Sequence, residues 1–435
     1  MQSIPSITVH RIPSAIRRHW RPLSGVVAVL LIVTVFAQPW RHASTSMRST
    51  ANRTAASGSP SSTTSKSSSA SSTSKTSAAP APAGSVAVNA TAALTVPGTA
   101  PKMPWPTTGQ SAIAIGGGNV LGVSGKQAAA PTASMAKAMT AYIVLKDHPL
   151  VGAANGAVIH VTRAEAAAVS LDIRQDQQVL AVRSGEALTE RQAMNALMLK
   201  SANNVARILA RWDAGSIPAF LTKMNATAKA LGMTSTHYTD PSGWDAKTLS
   251  TTTDQIRLAE SAMKRSDFAR IVGTKSAIVP IEGRIANVNP LLGQDGIVGI
   301  KTGSMSAAGG CLMFAAKHTV NNQSVWILGT VMGQRSSAIG DLHQAFVSSK
   351  RLVEAMDRIV GSHTVIKAGQ VIGTVPGSKA QLVATKNVSV IGWSGMKYKR
   401  TIKATVPTNA KTGTHVGTVT VSGGLTVSVP VALKS

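Results

Sequence analysis

The chain has 435 residues, which is enough for two folded domains and a tail. Its formal net charge is +27, and every Asp and Glu lies between Asp147 and Asp357, so both ends are basic and carry no acidic residue. Such a charge distribution favours polyanionic partners: acidic lipid headgroups, anionic wall polymers or nucleic acid. Aromatic residues make up only 3% of the chain and no nucleic-acid-binding motif accompanies the charge. No nucleic-acid partner is therefore expected.

Cysteine and histidine usage argues against a metal site. Cys311 is the only cysteine, which excludes an intrachain disulfide. Close pairs of Cys or His with zinc-ligand spacing are absent from the sequence, so no metal or other cofactor is expected. Cys311 lies in the apolar run "GGCLMF", which predicts a buried, unreactive thiol.

Residues 1–42 form a basic flank followed by an apolar segment, Gly25 to Ala37. A positive flank before an apolar core is typical of an export signal, so the rest of the chain is expected outside the cytoplasm, on the membrane or wall side. Two interpretations stay open. Val35-Phe36-Ala37 fits a cleavage site, whereas Leu23 to Trp40 approaches the ~20 residues of a membrane-spanning helix. The second interpretation attaches the protein to the membrane through a retained signal-anchor.

Residues 43–102 are dominated by Ser, Thr, Ala and Pro. Without apolar periodicity, such a segment cannot bury enough surface to offset its chain entropy. We expect a disordered linker here.

Residues 103–360 alternate strand-like and helical patterns. Two short strands with a glycine turn are predicted over 111–124, helices over 134–146, 189–200, 220–232 and 342–360, and buried strands over 296–303, 309–317 and 324–333. Thr189 and Gln192 form a predicted capping box. Strands at both ends with helices between them indicate an α+β domain, in which one antiparallel sheet is flanked by helices.

Ser134 and Lys137 form an S-x-x-K pattern at the predicted start of an apolar helix. Free backbone N–H groups at a helix start favour developing negative charge, and an amine at i+3 lies on the same face as the hydroxyl. Lys137 can accept the serine proton if burial or a neighbouring cation lowers its pKa. A helix-capping serine beside a solvated lysine would produce the same pattern, and Ser261 to Lys264 matches it too.

Two further motifs favour the catalytic interpretation. Ser201-Ala202-Asn203 lies at a predicted break between two helices, and a predicted buried strand leads into Lys301-Thr302-Gly303. The order S-x-x-K, S-x-N, K-T-G is the signature of active-serine penicillin-interacting enzymes.

Residues 103–360 resemble the low-molecular-weight penicillin-binding proteins that act as D-alanyl-D-alanine carboxypeptidases. The likeness includes "ASMAKAMTAYIV", "MLKSANNVARILA", "LGMTSTHYTDPSGWD" and "NVNPLLGQDGIVGIKTGSMSAAGGCL". It implies the penicillin-binding/β-lactamase-like transpeptidase fold, a stem-peptide substrate ending in D-Ala-D-Ala, and β-lactams as covalent inhibitors. Asn204, where the family often has Asp, and Ser304-Met305-Ser306 after the third motif depart from the family pattern.

The resemblance also implies residue roles. Ser134 would attack the carbonyl between the two D-alanines with Lys137 as general base, and Ser201, helped by Asn203, would relay a proton to the leaving amine. The terminal carboxylate would bind Lys301 and Thr302, and the N–H groups of Ser134 and Ser304 would form the oxyanion hole. Gly303 would let substrate approach the strand.

Residues 361–435 are rich in Val, Thr and Gly, which predicts a small β domain like the one that follows the catalytic domain in many of these enzymes. Its second K-T-G, at Lys411, belongs to a repeat: "KAGQVIGTV" at 367–375 matches "KTGTHVGTV" at 411–419. We therefore interpret Lys411 as a turn residue. In the family, an amphipathic membrane helix often follows; here the last residues have no helical pattern, which favours attachment at the N-terminus.

Two other functions are weighed against the peptidase. A β-lactamase would need fast hydrolysis of the acyl-enzyme, but Glu260 and Glu282 do not lie in the E-x-x-L-N context that one class uses. A non-catalytic wall-binding or antibiotic-sensing module would not need the intact Ser134, Lys137 and Lys301.

Overall fold

A computed structural model of the protein describes residues 84–117 and 119–435. Eight α-helices occur there: α1 Lys137–Asp147, α2 Arg163–Arg174, α3 Glu190–Met198, α4 Asn203–Ala214, α5 Ile217–Ala230, α6 Thr252–Met263, α7 Ser266–Val272 and α8 Asp341–Ile359. A 3-10 turn, Ala133–Ala136, directly precedes α1.

The same residues contain nineteen strands: β1 Ser85–Thr95, β2 Gln110–Ile115, β3 Asn119–Ser124, β4 Ala130–Pro131, β5 Val158–His160, β6 Ala187–Thr189, β7 Leu249–Ser250, β8 Ser276–Val279, β9 Gly283–Ala286, β10 Ile297–Met305, β11 Gly309–Val320, β12 Gln323–Gln334, β13 Gly361–Ile366, β14 Val371–Thr374, β15 Gln381–Ala384, β16 Val388–Gly392, β17 Lys397–Pro407, β18 His415–Ser422 and β19 Val427–Lys434.

The predicted export segment, 1–42, and most of the predicted linker, 43–83, lie outside the described residues. Within 84–117 and 119–435, no helix combines the length and apolarity needed to cross a bilayer.

The central sheet has five antiparallel strands in the order β10-β11-β12-β2-β3. Alternate side chains along its strands pack into two different hydrophobic cores, one on each face of the sheet. Ile113 and Phe314 pack with Phe346 and other apolar residues of α8, whereas Ala112 and Met313 face a second core built with α1 and α6. A sheet buried on both faces explains the nearly continuous apolar runs in these strands. The predicted α+β class, with an antiparallel sheet flanked by helices, is confirmed.

Helix α1 lies inside the helical layer. Eight of its eleven residues are buried, and α3, α4, α5, α6 and α7 all contact it. A helix surrounded in this way has little amphipathic character. The predicted capping box at α3 is present, with Thr189 and Gln192 satisfying each other's backbone N–H. Helices α2, α4, α6 and α7 lie outside the predicted helical ranges.

Residues 361–435 form strands and turns only. A six-stranded sheet has the order β1-β17-β18-β19-β15-β14, and β13 pairs with β16 in a separate ribbon.

Strand β1 of the six-stranded sheet corrects the sequence analysis, because it lies inside the stretch predicted to be a disordered linker. It pairs with β17 along its whole length, from Ser85 opposite Pro407 to Thr95 opposite Lys397. A partner some 300 residues away in sequence satisfies the backbone of β1, so local composition did not reveal this strand.

The repeat containing the second K-T-G is a turn-strand unit, as predicted. The N–H of Gln370 donates to the carbonyl of Lys367 before β14, and the N–H of Thr414 donates to the carbonyl of Lys411 before β18, each at 3.1 Å. Lys411 is exposed in this turn.

Candidate active site

Ser134 lies in the 3-10 turn that leads into α1, at the helix start that the sequence predicts. The turn begins with Ala133 at φ +46°, a left-handed conformation that is unfavourable for a residue with a side chain. Ser134 is half-buried and lines a cleft of about 230 Å³.

The Lys137 amine is fully buried and makes three short contacts. Its Nζ lies 2.9 Å from Ser134 Oγ, 2.5 Å from Asn203 Oδ1 and 2.8 Å from the carbonyl oxygen of Ser242. The last two atoms are acceptors only, so Nζ donates to both. A neutral amine has two N–H donors and one lone pair, and the lone pair then faces the Ser134 hydroxyl. The geometry therefore fits a neutral amine that accepts the serine proton.

The surroundings favour that neutral form. Burial lowers the pKa of Lys137 well below its ordinary value, and the positive charges of Lys301 and Arg207 lower it further. The carboxylate of Asp240 opposes this shift.

The loop containing Asp240 is a part of the site to which the sequence analysis gave no role. Asp240 accepts hydrogen bonds from the backbone N–H groups of Ser242, Gly243 and Trp244. It thereby holds the Ser242 carbonyl against Lys137. Asp-Pro-Ser-Gly is a turn sequence, but its contact with Lys137, over 100 residues away, depends on the fold.

Asn203 is the first residue of α4 and connects Lys137 to a buried polar chain. Its Nδ2 donates to Gln177 Oε1 at 2.9 Å, and Gln177 Nε2 donates to Asp172 Oδ1 at 3.2 Å. Asp172 forms an ion pair with Arg207. Because Gln177 accepts from the Asn203 amide nitrogen, it orients the Asn203 oxygen towards Lys137.

Gln177→Leu is expected to lower kcat about tenfold with little change in KM. Loss of the acceptor frees the Asn203 amide to rotate, and one hydrogen bond is worth about 1 kcal/mol or somewhat more. Steady-state kinetics and thermal unfolding of the variant test this. Gln175→Leu is the matched control, since Gln175 contacts Gln177 but not Asn203. Equal kcat in both variants and the wild type would contradict the orienting role.

Ser201 lines the cleft and lies between α3 and α4 in a left-handed conformation, φ +66°. Asn204, the departure from the family pattern, is buried and does not line the cleft. Its side chain donates to and accepts from the backbone of Leu180 at 2.8 and 3.0 Å. An amide makes both bonds, which an ionised carboxylate does not, so Asn204 anchors the loop containing Gln177.

Strand β10 forms the opposite wall of the cleft through Thr302, Gly303 and Ser304. Lys301 is only 1% exposed, and its Nζ lies 3.1 Å from the Thr302 carbonyl and 3.4 Å from Thr302 Oγ1. Lys301 therefore lies directly behind the wall. Gly303 also has a packing role, because a Cβ there would lie 3.1 Å from Ser134 N and 3.2 Å from Ala133 Cβ. The missing side chain lets β10 approach the turn with Ser134.

Cys311 of β11 pairs with Gly303 of β10, which lines the cleft. Its thiol is buried, as predicted, and burial raises the pKa of the thiol to about 11. A larger cavity of about 490 Å³ lies between α2, α4 and the start of α5, and none of the three motifs lines it. Across 84–117 and 119–435, no cluster of three or more His, Cys, Asp or Glu side chains is arranged to hold a metal ion.

Comparison with known proteins identifies relatives of the catalytic region. The D-alanyl-D-alanine carboxypeptidase DacB2 of Mycobacterium tuberculosis is 34% identical over 198 residues, 44% of this chain and 64% of that protein. A D-alanyl-D-alanine carboxypeptidase of a Streptomyces species is 36% identical over 169 residues, 35% of this chain and 57% of the relative. The chain thus spans less than two thirds of the length of these curated relatives.

A solved D-alanyl-D-alanine carboxypeptidase from M. tuberculosis has a similar fold, with a TM-score of 0.51 and 27% identity over 60% of this chain and 94% of that one. A family model described as D-alanyl-D-alanine carboxypeptidase matches residues 99–335, more than half of the chain. This match contains all three motifs and confirms the resemblance. The chain belongs to the D-alanyl-D-alanine carboxypeptidase family.

Proposed function

We propose that this protein removes the terminal D-alanine from peptidoglycan stem peptides through an acyl-enzyme on Ser134, and that β-lactams inhibit it covalently. The observation that carries the proposal is the buried Lys137 amine, 2.9 Å from Ser134 Oγ, whose pKa is lowered well below its ordinary value by burial and by nearby positive charges. Family membership supports the substrate class.

The reaction starts with proton transfer from Ser134 to Lys137 as Oγ attacks the carbonyl carbon of the penultimate D-alanine. The N–H groups of Ser134 and Ser304 stabilise the oxyanion that forms. When the C–N bond breaks, the proton moves from Lys137 to the leaving amine, with Ser201 at the cleft surface as relay and Asn203 holding Lys137 in place. Water then hydrolyses the ester and restores the Ser134 hydroxyl.

The carboxylate of the leaving D-alanine binds the β10 wall. Thr302 lines the cleft, and the buried Lys301 amine lies 3.4 Å from the Thr302 hydroxyl oxygen. A cation in a low-dielectric position attracts a carboxylate more strongly than a solvated one does. The same charge lowers the pKa of Lys137, so Lys301 serves both binding and catalysis.

The protein acts outside the cytoplasm, where its substrate is located, and contacts the membrane through its N-terminal segment. The basic residues before the apolar run 25–37 support this placement. Strand β1 is the first element that the structure describes, and it begins at Ser85.

The direct test is release of D-alanine from a peptide ending in D-Ala-D-Ala, combined with mapping of a fluorescent penicillin by peptide mass spectrometry. We expect D-alanine release and label on Ser134. Labelling with rapid turnover of the penicillin would indicate a β-lactamase. Labelling without D-alanine release would indicate an antibiotic sensor. The β-lactamase is disfavoured because Glu282, near the cleft through its ion pair with Lys200, also accepts from the Ala181 N–H and is not a free base.

The pH dependence of kcat/KM is expected to be bell-shaped. Lys137 must be neutral, so activity rises as pH increases through its lowered pKa. Lys301 must be charged, and burial lowers its pKa to about 7, so activity falls as pH rises above about 7. Measuring kcat/KM from about pH 4 to about pH 10, in steps of about half a pH unit, tests this expectation.

Two controls assign the limbs of the pH profile. A peptide ester without a terminal carboxylate should lack the alkaline limb. Lys301→Met should also remove that limb and move the acid limb to higher pH, because a positive charge near Lys137 is lost. An alkaline limb that persists in Lys301→Met would contradict the assignment.

A further inference from the structure

The outer face of the six-stranded sheet presents a row of lysines. On β17, Tyr398, Ile402, Ala404 and Val406 point into the core, so the odd-numbered residues of the strand point outwards. Lys397, Lys399 and Lys403 are exposed on that outward side. Alternate residues of a strand lie about 7 Å apart, so the three charges follow a line about 20 Å long.

These lysines form no ion pairs with acidic side chains among the described residues. Residues 361–435 contain nine Lys and Arg and no Asp or Glu, and the sequence before Asp147, including β1, contains no acidic residue either. An unneutralised row of this kind concentrates anions at its surface.

The neighbouring strands add hydroxyl and amide groups on the same face. Asn89 of β1 and Thr418 of β18 lie opposite Lys403, and Ser422 lies opposite Lys399. Directly paired residues of an antiparallel sheet point to the same side. The lysine row is therefore flanked by hydroxyl and amide groups, which are both donors and acceptors of hydrogen bonds.

The face lacks the features of two other anionic partners. None of the large exposed apolar side chains among the described residues lies on β1, β17 or β18, so nothing there inserts into a lipid surface. Tyr398, the aromatic residue of β17, is buried and offers no stacking platform for bases.

We propose that this lysine face, Lys397, Lys399 and Lys403 with the flanking Ser, Thr and Asn side chains, binds a linear polyanion with phosphodiester groups on a polyol or sugar backbone. Ammonium groups contact successive phosphates as point charges, and the flanking side chains contact the backbone hydroxyls. The face belongs to the β-rich part of the chain and does not depend on the peptidase reaction. Binding would hold the catalytic region against an anionic polymer matrix.

The test measures binding of the full-length protein to fluorescent poly(glycerol phosphate) at physiological salt. The triple variant Lys397→Gln, Lys399→Gln, Lys403→Gln should bind about tenfold more weakly than wild type. The matched control is Lys367→Gln, Lys379→Gln, Lys386→Gln, which removes the same charge from exposed turns of the same region and should change affinity less than twofold. Unchanged circular dichroism verifies that both variants fold.

Equal losses in the two triple variants would overturn the proposal, because only total charge would then matter. So would a loss confined to anionic phospholipid vesicles or to a DNA duplex, with polymer binding unaffected. Binding should also weaken steeply with added salt, as expected for exposed charges.

Discussion

Ser134→Ala is expected to abolish both D-alanine release and covalent labelling by a fluorescent penicillin. The variant keeps the fold and the cleft but has no atom that forms an ester with the substrate carbonyl. Ser134 is half-buried at the start of α1, and the loss of one hydroxyl there leaves the apolar contacts of the helix intact. Activity should fall to the detection limit while the thermal unfolding temperature stays close to that of the wild type.

The matched control for this experiment is Ser261→Ala. Ser261 has the same S-x-x-K spacing to Lys264, but Lys264 is exposed and pairs with Glu260 on the surface of α6. The activity of Ser261→Ala should equal that of the wild type. The activity of Lys411→Ala, a change in the turn before β18, should also equal that of the wild type. Residual labelling of Ser134→Ala at another residue would place the nucleophile elsewhere.

Lys137→Met is expected to slow acylation of Ser134 by about 10³-fold or more. Methionine has a similar length but no lone pair that takes the serine proton, and general base catalysis contributes about 10²- to 10⁴-fold. Lys137→Arg should be similarly inactive, because a guanidinium stays protonated even when buried. Stopped-flow acylation by a chromogenic cephalosporin measures the rate directly.

Stability is the necessary control for Lys137, since its removal leaves the Asn203 and Ser242 oxygens without a buried donor. Each unsatisfied group costs about 1–3 kcal/mol, so some loss of stability is expected and acylation must be measured well below the unfolding transition. Lys264→Met serves as the matched variant. An acylation rate within tenfold of the wild type in folded Lys137→Met would refute the role of the amine.

Local sequence determined much of the catalytic apparatus. The three-residue spacing of Ser134 and Lys137 on consecutive helical turns places hydroxyl and amine close together without help from the rest of the chain. The capping box of α3, the apolar runs of β10 to β12 and the turn with Lys411 likewise follow from nearby residues.

Tertiary structure decided the lowered pKa of Lys137 and the formation of β1, the first described strand. The lowered pKa of Lys137 depends on burial that arises only when helices surround α1, and on the charges of Lys301 and Arg207, which come from two separate elements. Strand β1 forms because β17 supplies its hydrogen bonds, although its own Ser, Thr and Ala composition indicates a linker. Hydrophobic periodicity and helix caps depend on residues close together in the chain, so they can be predicted from the sequence. Desolvation, the proximity of charges and strand pairing depend on distant segments that meet only when the chain is folded.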